Sequence, residues 1–232
     1  MKNSTLKLWV VVAAAGVGSR FSAQIAKQYF KINDTYVIDY ALSTLCQINN
    51  LCQIVVCIKQ DDTLWQSSKF SSHQQITTAI GGKTRVNSVL NGLYKLIELG
   101  ASDNDWAVVH DAARANVNLN DVNALINKVI ALNCAGILAH PAYDSLKQVF
   151  VADDGNNYIK QNLERTNVWC AFTPQMARIG LLIDALKKYP TATDEAEALQ
   201  NAGHKVCLVK SCKNNLKLTT SSDLAILKAL LA

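Results

Sequence analysis

Six short apolar runs, each followed by polar or glycine-containing residues and then by a stretch of helical spacing, constrain this chain more than any other feature. They are Trp9–Ala13, Ile54–Ile58, Ile76–Ile80, Trp106–Val109, Ala135–Ala139 and Lys205–Val209. Strands that alternate with helices rejoin the same sheet by crossing over, so the pattern predicts a mostly parallel sheet. Between the runs, Val37, Ile38, Ala41, Leu42, Leu45 and Ile48 keep helical spacing. So do Val86, Val89, Leu90, Leu93, Leu96 and Ile97, and again Val122, Leu125, Ile126, Val129 and Ile130. A Ser/Thr cluster caps a last helix expected at Ser222–Leu231. One segment breaks the rhythm: Ser145–Val151 and Tyr158–Leu163 flank Asp153-Asp154-Gly155-Asn156-Asn157, which is turn chemistry, and predict an inserted hairpin. A hairpin buries too little surface to stand alone, so it is expected to pack on its own domain or on a second subunit.

An open α/β sheet binds ligands beyond the carboxyl ends of its strands, where loops and helix N-termini converge. After the first run come Gly16, Gly18, Ser19 and Arg20, with Lys27 a little further on; after Ile80 come Gly81, Gly82, Lys83 and Arg85. After Val109 come His110, Asp111 and Arg114, after Ala139 come Asp144, Ser145 and Lys147, and after Val209 come Lys210, Asn214, Asn215 and Lys217. Glycine and alanine let backbone N–H groups approach phosphate oxygens, and the cations supply the charge that a leaving pyrophosphate requires. The stretch G-V-G-S-R-F is not a dinucleotide fingerprint, because Phe21 stands at the third glycine, and it lacks the lysine-serine/threonine end of a phosphate loop. Asp111 ends an apolar strand, where a carboxylate caps a helix, forms an ion pair, or faces a metal or a ribose. Thr193-Asp194-Glu195-Ala196 reads either as a helix start or as part of an acid cluster. The four histidines share no spacing suited to a metal or a nucleophilic triad.

Composition narrows the function classes. The 232 residues suffice for one large α/β domain, and half of them are hydrophobic. Lysine plus arginine exceed aspartate plus glutamate by 23 − 18 = 5, without a dense basic run, so nucleic acid is not the expected partner. Seven cysteines with no C-x-x-C pair suggest reduced thiols and a cytoplasmic location. Lys2 and Lys7 before Leu8–Ala15 imitate a secretory leader, but the apolar run is short and ends at Arg20. No stretch approaches the roughly 20 apolar residues that a membrane span needs.

Nine pieces, in order, carry a resemblance over nearly the whole chain: A-A-A-G-V-G-S-R, A-K-Q-Y, G-G-K-T-R-V-N-S-V, V-H-D-A-A-R, D-S-L-K, E-R-T-N-V-W, F-T-P-Q, A-T-D-E-A and N-L-K-L-T. With them the chain resembles the 2-C-methyl-D-erythritol 4-phosphate cytidylyltransferases of non-mevalonate isoprenoid biosynthesis. The resemblance implies a single Rossmann-like domain over 1–232, with helices on both faces of the sheet. It also implies a projecting arm at about 142–166 through which two subunits interlock as a homodimer. Ala14, Ala15, Gly16, Gly18, Ser19 and Ala112 would line the nucleotide, with Gly82, Arg85 and Ser88 near the cytosine. Asp111 would lie near ribose and Mg²⁺, while Arg20, Lys27 and Lys217 would stabilise the triphosphate and its transition state. Ser145 and Arg165, at the arm, would hold the polyol phosphate, with Asp111, Arg114, Thr173 and Thr193 as further substrate contacts.

The departures from the family pattern are alanines at 13, 26 and 115 where proline is usual, and Ser145 for threonine. Proline fixes φ, so its loss loosens loops without removing a reacting group. Lys83 and Thr84 stand where acidic or polar residues are common, and both are left out of the expected site. Three rivals remain: a cytidylyltransferase for another polyol phosphate such as ribitol 5-phosphate, a nucleotide-binding module without turnover, and a dinucleotide-dependent oxidoreductase. Ribitol enzymes tend to open with an alanine-glycine-glycine loop, which A-A-A-G departs from; retention of the cations with Asp111 weighs against a decayed site.

Overall fold

The computed structural model describes residues 6–16 and 25–231. The first half contributes strands β1 (Leu8–Ala13), β2 (Lys31–Ile32), β3 (Thr35–Tyr36), β4 (Leu51–Ile58), β5 (Ile76–Ile80) and β6 (Trp106–Asp111), with helices α1 (Val37–Leu45), α2 (Arg85–Glu98) and α3 (Leu119–Leu132). The second half adds β7 (Ala135–Pro141), β8 (Leu146–Val151), β9 (Asn157–Leu163), β10 (Trp169–Arg178) and β11 (Val206–Lys210), with α4 (Ile179–Lys188), α5 (Glu195–Asn201) and α6 (Ser221–Leu230).

Seven strands form one sheet in the order β11-β7-β10-β6-β1-β4-β5. β1 pairs in parallel with β4 and β6, β4 with β5, and β7 with β11. These are the six strands expected from the apolar runs. The seventh, β10, lies antiparallel between β6 and β7 and was not anticipated. Its Pro174 lacks the N–H that an interior strand donates, which argues against a strand at the sequence level. The fold accommodates it where the pairing with β7 shifts register between Ala171 and Gln175. Helix α4 was missed as well, whereas α5 starts at Glu195 behind an Asp194 N-cap, as a helix-start reading of T-D-E-A requires.

Alternate residues of a strand point to opposite faces, so the sheet feeds two cores. Val10, Val12, Ile54, Val56 and Val108 join Ile38 and Leu42 of α1 and Leu125 and Val129 of α3 on one face. Trp9, Val11, Val55, Cys57 and Val109 join Val89 and Leu93 of α2, Leu182 of α4 and Leu199 of α5 on the other. Burial on both faces is why these strands read as continuous apolar runs rather than alternating ones. A smaller cluster of Ile32, Val37, Ala113, Ala115, Leu218 and Leu227 packs α6 and the segment before it against the loop after β6. Leu218 N donates to Ala113 O at 2.9 Å, which brings Lys217 beside the end of β6. β8 and β9 pair only with each other, as the expected hairpin, and Val149, Phe150, Val151, Tyr158 and Ile159 on it are exposed.

Candidate active site

Beyond the C-terminal ends of β1, β4, β5 and β6 opens a cleft of about 890 Å³, lined by Ala13, Ala15, Gly16, Lys27, Gln28, Lys59, Gln60, Asp61, Ile80, Gly81, Gly82, Lys83, Thr84, Arg85, Ser88, Asp111, Ala112, Ala113 and Lys217. Close backbone approach shapes one corner. A Cβ on Gly81 would lie 2.3 Å from Ala15 Cβ, and one on Gly82 would lie 2.3 Å from Asn87 Cβ. The Ser88 hydroxyl holds the same loop, accepting from Gly82 N at 3.0 Å and donating to Thr84 O at 2.9 Å. Thr84 in turn caps α2 by accepting from Asn87 N.

Lys27 opens a turn of 3-10 helix, Lys27–Tyr29, that its neighbours pin in place. Gln28 Nε2 donates to Ala14 O at 2.6 Å, and Tyr29 Oη donates to Asp62 Oδ2 at 2.7 Å. Burial, reinforced by that bond to Asp62, pushes the Tyr29 hydroxyl well above its ordinary pKa, so it stays a donor.

Asp111, 6% exposed, ends β6 among three cations. Its Oδ1 accepts from Arg85 Nε at 2.8 Å, its Oδ2 accepts from Lys217 Nζ at 2.7 Å, and Arg114 Nε stands 3.7 Å from Oδ2. Burial works against the charged carboxylate, but Arg85 and then Lys217 outweigh it and hold the group well below the usual range. The helix-capping alternative fails, since residues 112–116 form turns and the next helix starts at Leu119.

A second layer sets the position of this carboxylate. The His110 Nε2 lies 3.1 Å from Arg114 O and its Nδ1 lies 3.1 Å from Thr173 Oγ1. A carbonyl only accepts, so Nε2 carries the proton and Nδ1 accepts from the threonine hydroxyl, which itself accepts from Asp111 N at 3.1 Å. Burial lowers the His110 pKa to about 4, so the ring is neutral. Asn215 Nδ2 donates to Thr173 O at 2.8 Å, and Asn215 O accepts from Arg114 Nη1 at 2.7 Å. Arg114 Nε and Asn215 Oδ1 are buried without a hydrogen-bond partner among the described residues. On its far side Arg85 donates from Nη1 and Nη2 to Glu195 Oε1 and Oε2, at 2.7 and 3.0 Å.

Of the residues expected in the site, Ala15, Gly16, Lys27, Gly82, Arg85, Ser88, Asp111, Ala112 and Lys217 share the cleft. Gly18, Ser19 and Arg20 lie outside the described residues. Ala14 turns into the core, and Arg114 and Thr173 support Asp111 from behind. Thr193 binds Glu197 Oε2 through both its N and its Oγ1, and is not part of the cleft lining. Ser145 and Arg165 are also absent from the lining: Ser145 accepts from Lys147 at 3.2 Å, and Arg165 donates to Tyr143 O. Lys83 and Thr84, excluded from the sequence-based site, do line the cleft. So do Lys59, Gln60 and Asp61, which follow β4 and are found by extending the strand-end rule to that loop. Among the described residues no group of three or more His, Cys, Asp or Glu side chains is arranged to hold a metal ion.

A family model described as 2-C-methyl-D-erythritol 4-phosphate cytidylyltransferase matches residues 8–232. A protein of that description from Pseudomonas aeruginosa is 40% identical over 220 residues, covering 93% of this chain and 92% of its own length. One from Vesicomyosocius okutanii is 37% identical over 233 residues, covering 94% of each. Among solved structures, a 4-diphosphocytidyl-2C-methyl-D-erythritol synthase superposes with a TM-score of 0.84 at 32% identity, covering 98% of this chain and 99% of its own. The Francisella tularensis 2-C-methyl-D-erythritol 4-phosphate cytidylyltransferase gives 0.81 at 34% identity, covering 96% and 99%.

Proposed function

The chain belongs to the 2-C-methyl-D-erythritol 4-phosphate cytidylyltransferase family, and from that premise we propose that it transfers CMP from CTP to 2-C-methyl-D-erythritol 4-phosphate. The products are 4-diphosphocytidyl-2-C-methyl-D-erythritol and pyrophosphate, in the supply of isoprenoid precursors. The observation that carries this reading is the cleft itself, where Lys27 and Lys217 share one space with the glycine corner and a buried, ionised Asp111.

The substrate phosphate attacks the α-phosphorus of CTP in line, the bond to the β-phosphate oxygen breaks, and pyrophosphate leaves with the electron pair. No covalent enzyme intermediate is needed, so the protein's work is alignment and charge neutralisation. Lys27, with Arg20, stabilises charge on the triphosphate, while Lys217, steadied by Asp111, stabilises charge building at the transferred phosphorus. Arg114, whose Nε faces Asp111 Oδ2 at 3.7 Å without a hydrogen-bond partner among the described residues, is assigned as a substrate anchor behind Asp111. Gly82 and Ser88 shape the base pocket.

Among the described residues two carboxylates line the cleft, an exposed Asp61 beside Lys59 and a deep Asp111 whose oxygens accept from Arg85 and Lys217. Mg²⁺ characteristically binds one or two carboxylates together with substrate phosphates and water, so Asp111 would be the residue to hold it. Bound there it would neutralise phosphate charge.

Ser145 and Arg165 sit at the base of an arm whose apolar residues face solvent, with Val151 69% and Ile159 63% exposed. A second copy is the partner that buries such a two-stranded element, and it would deliver these residues to the neighbouring cleft. The chain would thus act as a homodimer of single nucleotidyltransferase domains. A cytoplasmic location suits the free cysteines and the use of CTP; among the described residues no helix is long and apolar enough to cross a membrane.

The deciding assay incubates the purified protein with CTP, Mg²⁺ and a panel of polyol phosphates that includes ribitol 5-phosphate, and follows pyrophosphate. Release is expected with 2-C-methyl-D-erythritol 4-phosphate; release confined to another polyol phosphate, or none at all, overturns the assignment.

A further inference from the structure

Glu195 is the most completely buried acid at this end of the sheet, at 0% exposure, yet it does not line the cleft. It is the first residue of α5, and β10 holds that helix end in place. Gln175 Nε2 donates to Asp194 Oδ2 at 3.0 Å, while Gln175 Oε1 accepts from Ala196 N at 2.9 Å. From this anchored position both carboxylate oxygens grip the terminal nitrogens of Arg85. The guanidinium is planar and rigid, so fixing two of its nitrogens aims the third. That third nitrogen, Nε, meets Asp111 Oδ1.

We propose that Glu195 is a positioning residue that turns Arg85 away from the nucleotide and onto Asp111, so that the second Asp111 oxygen is presented to Lys217. The inference rests on the proposed cytidylyltransfer for its kinetic consequences, but its geometry stands apart from the substrate's identity.

Two observations and one energetic argument support it. All three nitrogens of Arg85 already donate to carboxylates, so the arginine supports the cleft wall rather than standing ready for a phosphate. Buried ion pairs contribute little net stability compared with well-packed apolar residues, so stability alone is a weak reason for this one. Finally, Gln175 of the reversed strand fixes the residues on either side of Glu195, and from Glu195 direct contacts lead through Arg85 and Asp111 to Lys217 in the cleft.

Glu195→Gln keeps the shape and removes the charge, whereas Glu195→Asp keeps the charge and withdraws it by one methylene. Both are expected to lower kcat about 10²-fold, the usual effect of displacing a reacting group by an ångström. The CTP KM is expected to stay level or fall, since a released Arg85 is free to turn toward phosphate. In ¹⁵N NMR of the full-length protein without substrate, the Arg85 Nε–H signal, slow to exchange in the wild type, should exchange quickly in both variants. A role limited to charge balance leaves Glu195→Asp at wild-type kcat, and a merely structural one raises KM together with a loss of thermal stability; either result overturns the proposal. Should Glu195→Gln fail to fold, Glu195→Asp carries both measurements. If the wild type releases no pyrophosphate with 2-C-methyl-D-erythritol 4-phosphate, the assigned activity fails, while persistent Nε–H protection in the variants independently rejects this inference.

Discussion

Asp111 shows how much one side chain depends on its neighbours: the same carboxylate is costly as a lone charge and becomes stable only because Arg85 and Lys217 meet its two oxygens. Lys27→Ala should lower turnover roughly 10²–10³-fold, the cost of losing one preorganised charge contact, while the urea unfolding curve is unchanged. Pyrophosphate release checks this, and near-normal turnover removes the lysine from the chemistry. Arg165→Ala should act chiefly through the KM for the polyol phosphate, leaving that for CTP alone. His110 sets a pH dependence whose sign follows from its depressed pKa of about 4. Below about pH 6.5 the unfolded chain takes up a proton that the folded ring refuses, so stability falls from there to about pH 4, by roughly 3 kcal/mol in total. Asp111, depressed as well, adds its loss only below about pH 4, where the unfolded carboxylate protonates. Urea midpoints from pH 7 to 4.5 should therefore slope in the wild type and flatten in His110→Gln. An identical slope in both would show that His110 is not the source.

Among the elements, α2 is held against the sheet by the absence of a side chain. Gly92→Ala would force a methyl to within 2.5 Å of Val11 and 2.7 Å of Cys57, and should cost about 1–3 kcal/mol by overpacking. Chemical denaturation measures this, and because Gly92 is not itself part of the cleft lining, turnover per folded molecule should hold. The inner parallel strands β1, β4, β6 and β7 were legible because a strand buried on both faces reads as a continuous apolar run, and the half-buried edge strands β5 and β11 because short β-branched runs alternate with helical spacing. β10 was not, since F-T-P-Q places a proline inside it, and only the irregular pairing with β7 shows how the strand tolerates that residue. The consequence reaches the site, because β10 carries Thr173 and Gln175, which steady Asp111 and α5. Both residues belonged to a recognised motif, yet their partners lie 62 and 21 positions away along the chain.

At the scale of the whole molecule, the proposed homodimer, with each site completed by Ser145 and Arg165 of a second subunit, makes its own prediction. Assayed with polyol phosphate well below the raised KM of the Arg165 variant, Lys27→Ala and Arg165→Ala homodimers should each be nearly inactive. Re-paired in equal amounts they should recover about one quarter of wild-type turnover, because half of the molecules become mixed dimers with one intact site in two. No recovery in mixtures shown by native mass spectrometry to contain mixed dimers would confine each site to one chain. The pattern of apolar runs by itself determined the class of sheet, the hairpin and the strand ends at which glycines and cations collect, because those follow from local periodicity and the strand-end rule. Only the tertiary structure decided that Arg85 faces two carboxylates, that Glu195 belongs to the support of the site, that Lys83 and Thr84 line it, and that Thr193 does not. Those outcomes depend on which side chains converge across long stretches of chain, and pairing of charges in a buried place is set by three-dimensional proximity, which spacing along the sequence does not encode.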